Sequence, residues 1–388
     1  MNYLLPWEYN WGSIPTMEIS RRHFLSLAAA SAANLYFSPL NVAYGASEHT
    51  LATPLLLSAC DDKEDQHWIS GWHIDGTEKF KLSIPQRAHA VSFCPARPLA
   101  IFFSRRPGRE MYSVSLATGQ LLKTVQSPEG YHFYGHGVFS RDGSLLFTTE
   151  NNYQQNRGII GVYDATNLQR LGEFNSGGIG PHQLELMSDG KTLVAANGGI
   201  QTHPDKGREK LNISTMQSSL CYLDTHSGKM IDNFLPEDPQ MSIRHLAVSS
   251  SDQVIAGVQY QGEKSALLPL VLSHRGETSL QPMQADELVW LGQNQYIASV
   301  AIDDAGKTAI TTSPRGHSIL IWNMENNQHQ GTIPFSDVAG AVYSRQGNQF
   351  IVSNGSGQII SIHAETRKTS SLFTHSALRW DNHLTLWG

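Results

Sequence analysis

Histidine residues recur along this chain in a pattern that predicts a shared site. Five of them stand at or beside the start of a short apolar segment: His89, His136, His182, His245 and His383. Imidazole nitrogen is a common protein ligand for zinc, copper and iron. These residues would therefore form a transition-metal site, with iron as one candidate ion, if the fold brought them together.

The segments that follow these histidines resemble one another. Those beginning at His136 and His182 both predict a strand, an Asp-Gly turn (Asp142-Gly143 and Asp189-Gly190) and a second strand. Asp-Gly favours the positive φ angles of a two-residue hairpin. Further copies begin near Ile297 and Ala339, and a third and a short fourth strand follow in each. Four strands in about 40–50 residues is the period of a propeller blade.

Six such blades begin between residues 89 and 339, and the two ends of the domain supply a seventh. Residues 53–60, 68–75 and 79–84 provide three of its strands, and residues 383–387 provide the innermost one. This closure leaves no open sheet edge at the join. We therefore predict an all-β, seven-bladed β-propeller over residues 50–388, closed by pairing of the C-terminal strand with N-terminal strands.

Propeller geometry places the predicted histidines on one face. The innermost strands line the channel, and the loops entering them open on the same face as the loops after the second strands. Five imidazoles would then ring the channel mouth. The candidate ligand-binding residues follow the second strands and are Arg105, Glu150, Asn151, Tyr153, Asn197, Tyr260 and Arg315. We expect Glu150 to balance metal charge, and Arg105 and Arg315 to contact anions.

An insertion at residues 201–217 follows a second strand and should cover the same face. It carries His203, Asp205, Lys206 and Arg208, which would suit a lid or an anion clamp. A plain solvated loop is the alternative.

The histidines have two other interpretations. In WD-repeat propellers a histidine at the blade entry is structural and hydrogen-bonds within its own blade, and Gly135-His136 is similar to that dipeptide. Polar contacts to a substrate are the second alternative. The spacing is specific for the fold and leaves these three roles open.

The N-terminal region predicts export. Residues 17–46 contain the pair Arg21-Arg22, an Ala/Leu-rich segment and small residues at Ala43 and Gly45, in the order of a twin-arginine signal peptide. We expect Met17 to be the translation start and the protein to reach the periplasm. Twin-arginine export carries folded proteins, often with a bound cofactor, which agrees with a metal site.

Composition excludes several classes of function. The chain has 388 residues, a net charge of −6, 40% hydrophobic and 16% charged residues, and no block of basic residues. Nucleic-acid binding needs concentrated positive charge, and a spanning helix needs about 18 consecutive apolar residues, so neither is expected. The sequence has no Gly-x-Ser-x-Gly, His-Glu-x-x-His, Walker or Cys-x-x-Cys motif.

Several motifs resemble an uncharacterised bacterial family of YVTN-type propellers with twin-arginine signals. They include Gly135–Ser140, Gly178–His182, Ser242–Leu246, Gln259–Gly262, Thr312–Gly316 and Trp380–His383. The resemblance extends over nearly everything after residue 50. Members are often encoded beside imelysin-type iron-regulated periplasmic proteins, so the resemblance implies iron acquisition and periplasmic iron-uptake partners by association alone.

These observations lead to one principal hypothesis and two rivals. The principal hypothesis is a periplasmic propeller that binds iron, or a metal-bearing ligand, at a histidine-lined channel mouth. The first rival is a propeller enzyme, either a lactonase-like hydrolase or an oxidoreductase, so enzymatic activity stays open. The second is a protein-interaction scaffold with structural histidines.

Overall fold

The computed structural model describes residues 54–388, which form seven antiparallel sheets arranged as a β-propeller. The all-β, seven-bladed prediction is confirmed. The predicted export segment at residues 17–46 lies outside the described residues. None of the helices within 54–388 has the length and apolar character that a membrane crossing requires.

The sheets follow one another in chain order, and each blade runs from an innermost strand at the channel to an outer strand. Blade 7 contains the first three strands, β1 (Leu55–Asp62), β2 (His67–His73) and β3 (Glu78–Ile84). Blade 1 contains β4 (Ala88–Phe93), β5 (Leu99–Ser104), β6 (Glu110–Ser115) and β7 (Leu121–Gln126). Blade 2 contains β8 (Tyr131–Phe139), β9 (Leu145–Asn152), β10 (Arg157–Asp164) and β11 (Arg170–Asn175). Blade 3 contains β12 (Pro181–Leu186), β13 (Thr192–Asn197), β14 (Ser219–Asp224) and β15 (Met230–Phe234).

The remaining blades repeat this order. Blade 4 contains β16 (Met241–Val248), β17 (Val254–Tyr260), β18 (Val271–His274) and β19 (Gln281–Pro282). Blade 5 contains β20 (Ser299–Ile302), β21 (Thr308–Ser313), β22 (Ser318–Asn323) and β23 (Gln328–Pro334). Blade 6 contains β24 (Val338–Ser344), β25 (Gln349–Asn354), β26 (Gln358–His363) and β27 (Thr369–Thr374). A short helix, α1 (Glu287–Gly292), joins blades 4 and 5, and two 3-10 turns, Pro204–Lys206 and Ile213–Thr215, lie between β13 and β14.

The two ends of the described chain meet in blade 7, as predicted. Strands β28 (Leu378–Trp380) and β29 (Thr385–Trp387) both pair with β1, and four residues interrupt the innermost edge between them. Strand β29 also contacts β24 and β4, the innermost strands of its two neighbours. The ring of innermost strands is thereby closed.

The Asp-Gly turns differ from the two-residue hairpin that we predicted. Only the glycine of each pair has a positive φ, 70° at Gly143 and 67° at Gly190. The carboxylate of Asp142 instead accepts a hydrogen bond from the backbone N–H of Ser144 at 3.0 Å. The aspartate side chain therefore satisfies a backbone N–H group of a longer loop. Aspartate is favoured at this position because its carboxylate accepts that hydrogen bond.

Apolar side chains fill the space between neighbouring blades. Phe103 of blade 1 packs on Phe133 of blade 2 with ring centroids 6.5 Å apart. Trp290 of α1 stacks on Trp322 of blade 5 at 5.4 Å. These contacts bury large apolar areas, and they hold the innermost strands at fixed positions around the channel.

Candidate metal centre

Local irregularities in the innermost strands position the histidines. Four of these strands shift register at or next to a histidine, between Ala88 and Val91 in β4, Phe133 and Gly137 in β8, Pro181 and Gln183 in β12, and Ile243 and His245 in β16. A β-bulge leaves residues unpaired and redirects their side chains. His383 lies in the interruption between β28 and β29. The histidines therefore lie at breaks in the ladder, whereas the sequence predicted regular strand starts.

The five imidazoles lie together in the channel. The ring centroid of His383 lies 4.4 Å from that of His89 and 4.3 Å from that of His136. His245 is 4.7 Å from His182 and 4.8 Å from His383. These residues are up to 294 positions apart in the sequence, and the repeat brings them to a common axis. We refer to these five residues as the histidine cluster.

Two overlapping groups in the cluster have the geometry to hold a metal ion. His89, His136 and His383 form one group, and His136, His182 and His245 form the other. Within each group the candidate ligand atoms all lie within 4.8 Å of one another, and every residue is buried. His136 belongs to both groups, so its substitution would remove a candidate ligand from each of them.

Four nitrogens of the cluster have no hydrogen-bond partner among residues 54–388. They are Nε2 of His136, Nδ1 of His182, Nδ1 of His245 and Nε2 of His383. Buried polar atoms in folded proteins are nearly always hydrogen-bonded, so a concentration of unpartnered nitrogens at one point is unusual. A metal ion would satisfy several of these lone pairs at once, and the donor set fits such an ion.

Burial keeps the cluster neutral. It lowers the pKa of His136, His182, His245 and His383 well below the usual value, and the neighbouring imidazoles lower it further. The pKa of His89 is also lowered by burial, against the opposing effect of Asp381. A neutral imidazole has the lone pair that a metal ion requires. The rings are therefore neutral at neutral pH, which is the form that could bind a metal ion.

A buried carboxylate orients one ring of the cluster. Nδ1 of His89 donates a hydrogen bond to Oδ1 of Asp381 at 2.6 Å, which leaves Nε2 of His89 as the candidate ligand atom. Arg87 binds the other carboxylate oxygen at 2.9 Å. Burial would raise the pKa of Asp381, but His89, Arg105 and Arg87 hold it well below its usual range. A carboxylate behind a metal-binding histidine fixes the ring orientation and increases its basicity.

Backbone contacts fix the cluster further. The Oγ1 hydroxyl of Thr149 lies 3.1 Å from the carbonyl oxygen of His136 and 3.3 Å from that of His182, and it links two blades. Ser58 donates a hydrogen bond to the carbonyl of His383 at 2.7 Å. Gly135, at φ 112°, lies so close to His89 that an added Cβ would be 2.6 Å from its Cδ2. Residues of blades 2 and 7 thus fix the backbone of His136, His182 and His383 and the ring of His89.

The cluster separates two cavities of the channel. His89, His182 and His245 border a cavity of about 440 Å³. His136 and His383 border a second cavity of about 660 Å³, which is lined by the distal parts of the innermost strands. The histidines therefore lie between two openings, deeper than the channel mouth at which we expected them.

The smaller cavity is strongly cationic. None of its lining residues is acidic. The six basic side chains that line it are Arg105, Arg106, Arg208, Lys210, Arg244 and Arg315. Arg106 and Arg244 are buried, and Arg208, Lys210 and Arg315 lie at the exposed rim. We call this the cationic cavity. Its position directly above the histidine cluster places positive charge beside the candidate metal ligands.

The basic groups of the cationic cavity lack acidic partners. Of these six basic residues, only Arg105 forms an ion pair with an acidic residue within the described chain, at 3.7 Å from Asp381. Burial, together with repulsion by Arg106, lowers the pKa of Arg244 to about 9. Repulsion by Arg105, followed by burial, lowers the pKa of Arg208. The cavity thus concentrates positive potential that its own walls do not neutralise.

Three of the predicted ligand-binding residues line the cationic cavity. Arg105 follows β5, Arg315 follows β21 with its guanidinium 4.4 Å from the ring of Tyr296, and Tyr260 ends β17. The Tyr260 hydroxyl donates to Asp238 at 2.8 Å. The loops after the second strands of blades 1, 4 and 5 therefore face the channel axis, as propeller geometry requires.

Four other predicted residues do not line the cationic cavity. The Asn151 amide donates to Nε2 of His132 at 3.2 Å, and Tyr153 stacks on the same ring. Asn197 is buried and donates to the carbonyl of Ser176 at 2.9 Å. These side chains satisfy local polar groups within and between blades.

Glu150 is the fourth, and its expected role requires correction. Its carboxylate accepts hydrogen bonds from Thr148 at 2.7 Å and Tyr163 at 2.8 Å, and it pairs with Arg170 at 2.8 Å. Strand β9 continues to Asn152, so Glu150 lies within the sheet and not in the following loop. The carboxylate that contacts the histidine cluster is Asp381.

The 201–217 insertion contributes to the cationic cavity through Arg208 and Lys210. His203 has a different role: its Nδ1 accepts a hydrogen bond from the Asp205 backbone at 3.2 Å and caps the 3-10 turn. Its ring also packs on Tyr153 at 4.9 Å. Sequence reasoning did not assign Asp381, Arg244 or Tyr134 to the site. The proximity of Asp381 to His383 and of Arg244 to His245 was the available signal.

The fold and this cluster define a seven-bladed β-propeller with a buried polyhistidine centre. Residues 82–387 match the family described as "Protein of unknown function (DUF1513)", and the chain belongs to this family. A solved structure titled Kuenenia stuttgartiensis Hydrazine Synthase superposes with a TM-score of 0.60 at 13% identity, covering 80% of this chain and 90% of that chain. At that identity the similarity concerns the fold alone. No curated protein matches the sequence.

Proposed function

We propose that the protein binds a transition-metal ion through the histidine cluster. The observation that carries the proposal is the set of four buried imidazole nitrogens without hydrogen-bond partners among the described residues. These nitrogens belong to rings that meet around one axis and stay neutral at neutral pH. Neutral imidazole suits iron, copper, zinc and nickel.

The structural-histidine alternative makes a different demand on the rings. Histidines that stabilise single blades would hydrogen-bond within those blades. Here the rings instead approach rings from other blades, as with His89 and His383 at 4.4 Å, and the hydrogen bond of His89 is made to Asp381 in the closing segment. This arrangement supports ligand binding over a role in blade stability.

The metal proposal is tested by metal analysis of untagged protein. The chelator-treated protein is reloaded separately with iron(II), zinc and copper(II), dialysed and analysed for bound metal. We expect stoichiometric metal in the wild type and its loss in the double variant His136→Ala/His182→Ala. His274→Gln is the matched control, because His274 is buried but hydrogen-bonds with Tyr222, outside the cluster. Absence of metal in the wild type, or equal metal in the double variant, would contradict the proposal.

We further propose that the bound metal is iron and that the protein acts in the periplasm in iron acquisition, beside iron-uptake partners. The twin-arginine pattern at Arg21-Arg22 and the family resemblance support this proposal. Cell fractionation tests the location: the wild type should be periplasmic, and Arg21→Lys/Arg22→Lys should remain in the cytoplasm. An iron-limited growth defect on deletion, absent under zinc limitation, would support the iron assignment, and the reverse pattern would contradict it.

A further inference from the structure

We propose that the cationic cavity is a binding site for a small oxyanion that carries at least three negative charges on two or more carboxylate or phosphate groups. The site goes beyond metal binding, because its basic walls do not depend on an ion in the histidine cluster. Six basic side chains from four blades or their connecting segments line it, and no acidic residue does.

The charges within this cavity are not compensated by the protein. Apart from the contact between Arg105 and Asp381, no ion pair joins these six side chains to an acidic group within residues 54–388. The whole chain, in contrast, has a net charge of −6. Buried charged groups are costly unless they are paired, so concentration of basic residues here opposes folding unless an anion neutralises them.

Two buried guanidinium groups point to a ligand directly. Arg106 is only 9% exposed, and its Nη1 is buried without a hydrogen-bond partner in the described residues. Arg244 is only 5% exposed, and within residues 54–388 its side chain donates a single hydrogen bond, from Nε to Ser242 at 3.2 Å, so that neither Nη atom has an acceptor there. Guanidinium groups bind carboxylate and phosphate oxygens through paired N–H donors.

The layout of the cavity favours an anion with several charged groups. Its basic residues are distributed around the channel: Arg105 and Arg106 lie after β5, Arg244 lies in β16, and Arg315 lies after β21. Arg208 and Lys210 approach from the 201–217 segment, which forms part of the rim. A single compact anion would contact only one side. A volume of about 440 Å³ accommodates a molecule of tricarboxylate or pyrophosphate size.

Neutral side chains lie between the basic groups. Tyr296 and Asn382 line the cavity and would add polar contacts to a ligand, whereas the hydroxyl of Tyr134 already donates to the carbonyl oxygen of Ile200 at 2.8 Å. The guanidinium of Arg106 lies 5.7 Å from the ring of Tyr134, and that of Arg315 lies 4.4 Å from the ring of Tyr296. Stacking on an aromatic ring holds a guanidinium in place while its N–H groups remain available.

Calorimetric titration of the chelator-treated protein tests the site without metal. The probes are citrate and pyrophosphate, with acetate and orthophosphate as singly grouped comparators at constant ionic strength. We expect citrate or pyrophosphate to bind at least about tenfold more tightly than its comparator. Tighter citrate binding identifies a polycarboxylate site, and tighter pyrophosphate binding identifies a polyphosphate site. Either result supports the proposal and is independent of metal loading.

Variants assign the binding to this cavity. Arg106→Gln should weaken binding of the preferred probe about 10–100-fold, because it removes charge-assisted hydrogen bonds. The exposed pair Arg208→Gln/Lys210→Gln should weaken it and reduce its salt dependence, which keeps the test valid if the Arg106 variant does not fold. Arg345→Gln is the control, since Arg345 pairs with Asp304 outside the cavity. The proposal is overturned if neither probe binds saturably below about 1 mM, or if the cavity variants bind like the control.

Discussion

The imidazole of His89 donates its Nδ1 hydrogen to the buried carboxylate of Asp381 at 2.6 Å. His89 belongs to β4 of blade 1, whereas Asp381 lies in the segment between β28 and β29 that closes the ring. Closure of the propeller and orientation of a candidate metal ligand therefore depend on the same contact. Arg87 and Arg105 form ion pairs with the carboxylate of Asp381 and keep it ionised.

Asp381→Asn should lower metal affinity about 10–100-fold, because loss of the carboxylate reduces the basicity of His89 and releases its orientation. Competition with a chromophoric chelator measures the change. Asp61→Asn is the matched control: Asp61 binds the same Arg87 at 3.3 Å but makes no hydrogen bond to a cluster histidine. Equal affinities in the two variants would contradict the assigned role of Asp381.

Gly135→Ala tests the packing that sets the His89 ring. The new Cβ would lie 2.6 Å from Cδ2 of His89, at a φ of 112°. We expect a loss of about 3 kcal/mol in the free energy of unfolding, together with lost metal binding. Gly276→Ala has a comparable positive φ of 91° and nothing within 4 Å, so it should cost only about 1 kcal/mol. Denaturant titration of both variants checks this, and similar losses would show that contact with His89 is unimportant.

Acidification should destabilise the protein through His132. Burial lowers its pKa to about 4, from a usual value of 6.5. Its Nδ1 donates to the carbonyl of Phe133 at 2.9 Å, and its Nε2 accepts from Asn151 at 3.2 Å, so both nitrogens are satisfied in the neutral form. Between pH 6.5 and 4 the unfolded chain binds a proton that the folded protein does not, and the free energy of unfolding falls as pH falls through that window.

At pH 5.5 the contribution of His132 to this loss should be about 1 kcal/mol. His132→Gln keeps a donor and an acceptor but does not titrate. Comparing the two proteins at pH 7.5 and pH 5.5 by denaturant unfolding isolates the effect from the other buried histidines. The wild type should lose more stability than the variant, and an equal loss would contradict the neutral assignment.

The sequence pattern predicted the fold and the convergence of the histidines for the same reason. A repeated unit places equivalent residues at equivalent positions around an axis, so His89 and His245 could be placed together without knowledge of their contacts. The closure through residues 383–387 followed from the need to satisfy sheet edges. The sequence pattern did not predict strand β28, because a strand of three residues is too short to show an alternation of apolar and polar residues.

The remaining parts of the site depend on details that a repeat does not encode. Bulges in β4, β8, β12 and β16 set the depth of the rings, and a bulge has no pattern in a single sequence. Glu150 was assigned to the loop after the second strand, but β9 continues to Asn152, and Glu150 is buried and hydrogen-bonded within it. Arg244 was not assigned to the site, because burial of a charged side chain within an innermost strand is unfavourable and is therefore not expected from the sequence.

X-ray absorption spectroscopy of the metal-loaded protein tests the central claim most directly. We predict at least three nitrogen ligands at about 2.0–2.2 Å, with the outer-shell scattering of imidazole rings. In His136→Ala the imidazole scattering should decrease or the metal should be absent, since His136 belongs to both candidate groups. A bound metal with no imidazole scattering, or a spectrum unchanged in His136→Ala, would contradict metal binding by the histidine cluster.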